Sequence, residues 1–376
     1  MTIKEIIKYL DDWAPKETAW QNDNVGIQVG RTNAKVKNLM LCLELTPEVI
    51  TQAIEKNCNF IISHHPLIFY PIKKLDLDFD SNSKLIEKLL KRDITVFSAH
   101  TNLDFTKNGV SFILAQKLGL KRISFLKNLE LNQFKISVFI PASHVEKVTN
   151  AIFSAGGGII GEYSSCSFQS KGQGTFKGSD ISNPSIGSRG NFEKVEEIKV
   201  EVLVDSWKLK SVINSMLAVH PYEEPAYDIY PLANKNLNYG AGAIGYFEKS
   251  LTVNETLNVI SKKLKSNNLR FVGGSAKKIR KVAVCGGSGS DLIQEAINKG
   301  ADAFITSDIK YHTFQSAHNK ILLVDAGHYE TEIPVIDEIQ KRLLKLITKR
   351  ENIKILKFIG STNPINFYSK MRSHVN

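Results

Sequence analysis

The chain has 376 residues, 42% of them hydrophobic, and a formal net charge of +11. That length favours two or three domains, and that apolar fraction suffices for buried cores. No apolar run approaches a membrane span, and Met1-Thr2-Ile3-Lys4-Glu5 lacks the apolar core of a secretory leader, so a cytoplasmic protein without a membrane partner is expected.

The four cysteines, Cys42, Cys58, Cys166 and Cys285, lie far apart without C-x-x-C spacing. This argues against a disulfide framework and against a structural zinc site. The positive charge is diffuse. Its clearest concentration runs over 341–357, with Lys341, Arg342, Lys345, Lys349, Arg350, Lys354 and Lys357 against Glu351 alone. Such a run either complements the end of a helix dipole or attracts an anion or nucleic acid. No DNA-reading motif accompanies it, so nucleic acid is the lesser expectation.

Apolar residues at 3, 6, 7, 10 and 13 predict a helix, which Pro15 ends. Asn22-Asp23-Asn24-Val25-Gly26 reads as a turn before a short strand through Ile27 and Val29. A strand is predicted over 36–45, and Thr46-Pro47 opens a helix as cap and first helical residue. Phe60-Ile61-Ile62 is a buried strand leading into Ser63-His64-His65-Pro66-Leu67, where Pro66 stops the ladder. Neighbouring side chains on a strand point to opposite sides, so His64 and His65 suit two metal ions, or a metal and a substrate, as well as an idle surface pair. A helix over 84–91 and a strand over 94–98 follow. The strand ends in Ala99-His100-Thr101-Asn102-Leu103-Asp104, and 109–118 is helical. This alternation predicts a sheet covered by helices, with ligands beyond the carboxyl ends of its strands.

The pattern breaks over 121–238. Nine of the 24 glycines fall between 156 and 190. Strands are predicted over 134–141, 198–204 and 226–230, with helices over 144–155 and 208–218. This is an inserted α+β unit of ferredoxin-like type, dividing a discontinuous α/β core of residues 1–120 and 239–376. Within it, Pro221 and Pro225 make a rigid turn the expected role of His220, Glu223 and Glu224, ahead of a metal or ligand site.

The α/β pattern resumes at 241. Thr252 and Glu255 form a capping box for a helix over 252–265. The strand Val282-Ala283-Val284-Cys285 runs into Gly286-Gly287-Ser288-Gly289, either a tight turn or an anion-facing one. A strand over 303–305 ends in Thr306-Ser307-Asp308, followed by Tyr311-His312. The strand over 321–324 ends in Asp325-Ala326-Gly327-His328-Tyr329-Glu330-Thr331-Glu332, and a long amphipathic helix follows. His328 and Glu332 stand four apart on one helical face, a metal-ligand spacing or an exposed pair. Several strand ends thus carry His, Asp or Glu. Imidazole and carboxylate without thiolate suit zinc, iron, manganese or nickel.

Asp23-Asn24-Val25-Gly26-Ile27-Gln28-Val29-Gly30, Ser63-His64-His65-Pro66-Leu67, Ala99-His100-Thr101-Asn102-Leu103-Asp104, Cys285-Gly286-Gly287-Ser288-Gly289, Asp308-Ile309-Lys310-Tyr311-His312 and Ala326-Gly327-His328-Tyr329-Glu330-Thr331-Glu332 together resemble the Nif-three-like proteins, also called GTP cyclohydrolase 1 type 2 homologues. The middle resembles the insert of the longer members, akin to the small ferredoxin-like domain of copper-tolerance and nitrogen-regulator type, through Gly161-Glu162-Tyr163-Ser164-Ser165-Cys166 and His220-Pro221-Tyr222-Glu223-Glu224-Pro225. The resemblance implies two divalent metal ions on His64, His65, Asp104, His328 and Glu332, with Asp104 bridging. It implies His100 and His312 near the site, either as supports behind the ligands or as proton carriers, and a toroidal homohexamer. Two residues depart from the family pattern: Glu44 stands where Asp is usual, and Ser307 where Gly is usual. The expected activity is metal-dependent hydrolysis of a nucleotide or related phosphorylated small molecule. The alternative is a non-enzymatic metal-binding scaffold or regulator, a ring that docks protein or nucleic-acid partners.

Overall fold

The structure, a computed structural model, describes residues 1–347 and 352–368. The first helix, Ile3–Trp13, begins on a capping box: Thr2 Oγ1 accepts from Glu5 N, and the Glu5 carboxylate accepts from Thr2 N at 2.6 Å. Its apolar face joins Leu39, Leu41, Phe60 and Ile62 in one core. Four strands follow: β1 (Gly26–Val29), β2 (Asn38–Cys42), β3 (Phe60–Ser63) and β4 (Thr95–Ser98), in the order β1-β4-β3-β2. β2, β3 and β4 are parallel, and β1 runs against β4. Every residue of β3 and β4 is buried, as befits parallel strands covered on both faces. The strand predicted over 36–45 is confined to β2. Ser63 pairs with Ser98, so β3 and β4 end level. His64 therefore leaves the sheet level with Ala99, one residue before His100. The short helix Thr101–Asp104, which the sequence did not announce, then turns Asp104 back towards them.

β5 (Lys121–Asn128) is an edge strand of the second core sheet, not part of the insert. The compact inserted unit spans Asn128–Asn238, so its start lies at 128 where the sequence suggested 121. It holds β6 (Gln133–Pro141), β7 (Phe168–Lys177), β8 (Phe192–Asp205) and β9 (Tyr227–Leu232), with helices Val145–Ser154 and Leu209–Leu217. The order β7-β8-β6-β9, antiparallel throughout, with a β-α-β-β-α-β succession, is the ferredoxin-like arrangement. Ile136, Val138, Val200 and Val202 pack under the helices against Val148, Ile152, Val212 and Met216. β7 escaped the sequence reading because most of its side chains are exposed and two are glycines, which leaves no apolar alternation.

The core resumes with β10 (Gly240–Thr252), β11 (Arg270–Val272), β12 (Lys278–Ser288), β13 (Ala303–Ser307) and β14 (Leu322–Asp325). The sheet order is β11-β14-β13-β12-β10-β5, with β12, β13 and β14 parallel. Thr306 pairs with Asp325, so β13 runs one residue past the end of β14, and the two release Asp308 and His328 on the same edge. The amphipathic run after β14 is two helices, His328–Glu332 and Pro334–Leu346.

β15 (Lys354–Lys357) returns to the first sheet, parallel to β2. It splits the basic run that the sequence suggested as one helix end. Lys357 pairs with Asp337 at 2.6 Å, and Arg342 pairs with Glu338 at 2.9 Å while its guanidinium sits 4.0 Å over the Trp13 ring. Lys349, Arg350 and Glu351 lie outside the described residues. No described helix is long and apolar enough to cross a membrane.

Candidate metal centre

The core brings the ends of β3, β4, β13 and β14 to one place. His64 is buried, and its Nδ1–H donates to the Ala99 carbonyl at 2.7 Å. A carbonyl only accepts, so the lone pair lies on Nε2. That Nε2 is 3.7 Å from Asp104 Oδ1 and 3.8 Å from Glu332 Oε1. His65 Nε2 is 3.0 Å from the other oxygen of Glu332, and His328 Nε2 is 3.1 Å from that same Oε2. Neither contact is aligned as a hydrogen bond. Glu332 is thus the carboxylate that reaches all three histidines, while Asp104 lies beside His64.

Each of these histidines is held from behind. The His65 Nδ1–H donates to Glu44 Oε1 at 3.2 Å, and the His328 Nδ1–H to Asp308 Oδ2 at 2.5 Å. His100 follows the same rule, with its Nδ1–H shared between the two Asp23 oxygens at 2.9 and 3.0 Å. Its ring centroid is 5.3 Å from that of His64 and 5.4 Å from that of His65. An oxygen behind Nδ1 fixes the tautomer and aims Nε2, the usual support of a metal-binding imidazole.

Three buried side-chain atoms here, His64 Nε2, Asp104 Oδ1 and Glu332 Oε2, have no hydrogen-bond partner. Each such atom costs on the order of 1–3 kcal/mol if left unpaired. Three in one cluster are consistent with a cation site. Two groups of metal-binding side chains can be drawn, His64 with His65 and His100, and His65 with His328 and Glu332. The donor set is nitrogen and oxygen without sulfur, which suits zinc, iron, manganese or nickel.

The charges fit as well. Burial opposes ionisation of Glu332, yet His328, His64 and His65 hold its carboxyl well below the usual range. Burial, aided by the Glu332 charge, pushes the Asp104 carboxyl well up. Burial pushes the His64 imidazole down. For His65 burial is outweighed by Glu332 and Glu44, which lift it to about 9. For His328 burial is outweighed by Asp308 and Glu332, which lift it to about 10. Burial also opposes the Asp23 charge, but donors from His100 and Thr101 bring its carboxyl to about 2.

The glycine turn of 286–289 does not face an anion with those amides. Gly286 N donates to Ser111 Oγ at 3.3 Å, and Gly287 N to Thr331 Oγ1 at 3.0 Å. Its purpose is room. Gly287 has φ +62°, and a Cβ there would stand 2.2 Å from Glu332 Oε1. Ser307, one of the two departures, donates from Oγ to Asp308 Oδ2 at 3.3 Å and so steadies the group behind His328. His312 is exposed, its ring 5.4 Å from that of Tyr311, and it belongs to neither three-residue group.

Sequence reasoning passed over Asp23 and Asp308 as site residues, although both sit in quoted motifs. The available signal was an acidic residue in a turn at a strand end. It could not show which imidazole nitrogen that residue would meet.

The family Duf34/NIF3 (NGG1p interacting factor 3) matches residues 1–364. The chain is 39% identical to a GTP cyclohydrolase 1 type 2 homolog of Halalkalibacterium halodurans over 365 residues, 96% of this chain and 98% of that one. It is 38% identical to one of Bacillus subtilis over 370 residues, 97% and 98% of the two chains. A solved Bacillus cereus protein related to NIF3 superposes with a TM-score of 0.83 at 37% identity, covering 98% of this chain and 99% of its own. With its two core sheets, its inserted ferredoxin-like unit and its histidine–carboxylate cluster, the chain belongs to the Duf34/NIF3 family.

Proposed function

We propose that this protein is a metal-dependent hydrolase with a dinuclear centre, acting on a nucleotide or a related phosphorylated small molecule. One observation carries the reading: three unpaired, buried side-chain atoms converge from the ends of β3, β4 and β14, beside imidazoles backed by oxygens that fix them. His64, His65, Asp104, His328 and Glu332 would hold the ions. Two divalent ions there would polarise a substrate oxygen and lower the pKa of water. Its relatives' description as GTP cyclohydrolase 1 type 2 homologs supports the choice of a nucleotide.

The chain's own groups do the rest. Asp23 keeps a proton on His100 Nδ1, so His100 Nε2 is the atom that takes a proton from attacking water and returns it to the leaving group. Glu44 and Asp308 keep His65 and His328 from rotating. This reading gives His312, exposed beside Tyr311, no step of its own.

The test is metal analysis of protein purified without added metal, then turnover of a nucleotide panel. Near two ions per chain and a turnover abolished by Asp104→Ala are expected. Metal without turnover of any nucleotide would favour the second reading, a ring-shaped scaffold or regulator. That reading draws on the insert, which folds around a core of its own. Both readings include a homohexamer, which sedimentation analysis tests.

A further inference from the structure

The segment His220-Pro221-Tyr222-Glu223-Glu224-Pro225 has no part in the metal centre. In the insert it forms a braced turn. Tyr222 N donates to His220 Nδ1 at 3.1 Å, and the His220 Nε2–H donates to the Phe139 carbonyl at 3.1 Å. Both imidazole nitrogens are spent, so this histidine holds a shape and binds no metal. The shape aims the Tyr222 hydroxyl at Glu197 Oε1, 2.7 Å away.

Glu197 is 9% exposed, on β8, at the floor of a cleft of 740 Å³ within the insert. Its hydrogen-bond partner is a neutral hydroxyl, and among the described residues no cation pairs with it. Its Oε2 lies over Gly174, where a Cβ would stand 2.1 Å away. Glycine is what lets the carboxylate lie there, and both Gly174 and Glu197 line the cleft. Phe139, Phe176 and Tyr222 line the same cleft, the last two with ring centroids 6.4 Å apart. The lining charges balance, three lysines against three glutamates. Lys199 is neutralised by Glu201 at 3.2 Å, and Lys171 and Lys177 are exposed and screened by solvent. Depth therefore decides the sign: the buried charge is negative, and it sits among aromatic rings. A carboxylate with aromatic walls is the chemistry that recognises an organic cation.

We propose that this cleft is a binding site for a small organic cation with a flat apolar body, an aromatic amine or amidinium, with Glu197 as its counter-ion. The site is separate from the metal centre in both residues and chemistry.

The test uses the full chain, loaded with metal, and benzamidine as probe. Benzoate, of the same shape and opposite charge, is the control. Calorimetry should show saturable benzamidine binding and none for benzoate. Glu197→Gln should weaken benzamidine at least about ten-fold, the loss of one charge-assisted hydrogen bond. Gly174→Ala should do the same by displacing the carboxylate, and serves if the first variant fails to fold. Asp104→Ala should leave the binding unchanged. Absent or unsaturable benzamidine binding would overturn the proposal. So would equal binding of benzoate, indifference to both insert variants, or loss of binding in Asp104→Ala.

Discussion

The histidines of the core and of the insert make opposite use of the same ring. His64, His65, His100 and His328 each give Nδ1 to an oxygen and present Nε2 to a shared space. His220 spends both nitrogens on backbone groups, the Tyr222 amide of its own turn and the Phe139 carbonyl of β6. Both kinds sit beside carboxylates in short motifs, and residue type does not separate them. What separates them is the nitrogen left over. A histidine with its tautomer locked and Nε2 left over is free to meet a metal or a proton, and a histidine with both nitrogens spent is a brace.

The strongest way to break this contrast is Glu332→Ala. Glu332 meets His64, His65 and His328, so its loss should abolish metal retention. With it should go the metal-dependent part of the melting temperature. A ligand bound only to the native state adds about 2.7 kcal/mol at a hundred times its Kd. Metal content and melting, measured with and without chelator, check both; a variant that still holds two ions would sink the assignment.

Asp308→Asn comes next. It weakens the oxygen behind His328 and leaves all five proposed ligands in place. Metal affinity should fall roughly 10–100-fold, with stoichiometry restored at high metal. A competition titration with a fluorescent chelator reads this directly.

The third prediction concerns protons. His65 at about 9 and His328 at about 10 carry protons near neutral pH in protein stripped of metal. Metal takes the neutral ring, so those protons must leave on binding. Metal binding at about pH 7 should release close to two protons from these rings, and fewer as pH rises through the two values. Apparent affinity should rise over the same range and fall steeply in acid. Calorimetry in buffers of different ionisation enthalpy counts the protons. A release that does not change with pH would contradict the geometry.

The smallest effects sharpen the comparison from the other side. His220→Ala should leave metal content untouched and destabilise the insert by on the order of 1 kcal/mol per lost hydrogen bond. Glu330→Ala should change neither metal nor melting much. Its carboxylate turns back to Gly327 and accepts from Asn363 Nδ2 at 3.1 Å, although it lies two residues from both His328 and Glu332. A metal loss in Glu330→Ala would show that proximity in sequence, not side-chain direction, decides the ligands, and one in His220→Ala would show that a histidine with both nitrogens bonded still serves the metal.

The sequence by itself determined the strand ends, the residue types placed at them and the interruption by an α+β unit. Apolar runs such as Phe60-Ile61-Ile62 and the capping box at Thr252 act over a few neighbours, so they are readable locally. Only the tertiary structure decided what crosses long separations. β15 pairs with β2 although more than 300 residues lie between them, and an exposed, glycine-bearing β7 is a strand because β8 is beside it. Gly287 reads as a turn residue until Glu332 is seen filling the space of its missing side chain. Asp23 reads as a turn residue and Asp308 as a strand-end residue until an imidazole is found in front of each. Which lone pair stays free is settled by the partner on the far nitrogen, and that partner arrives from another strand.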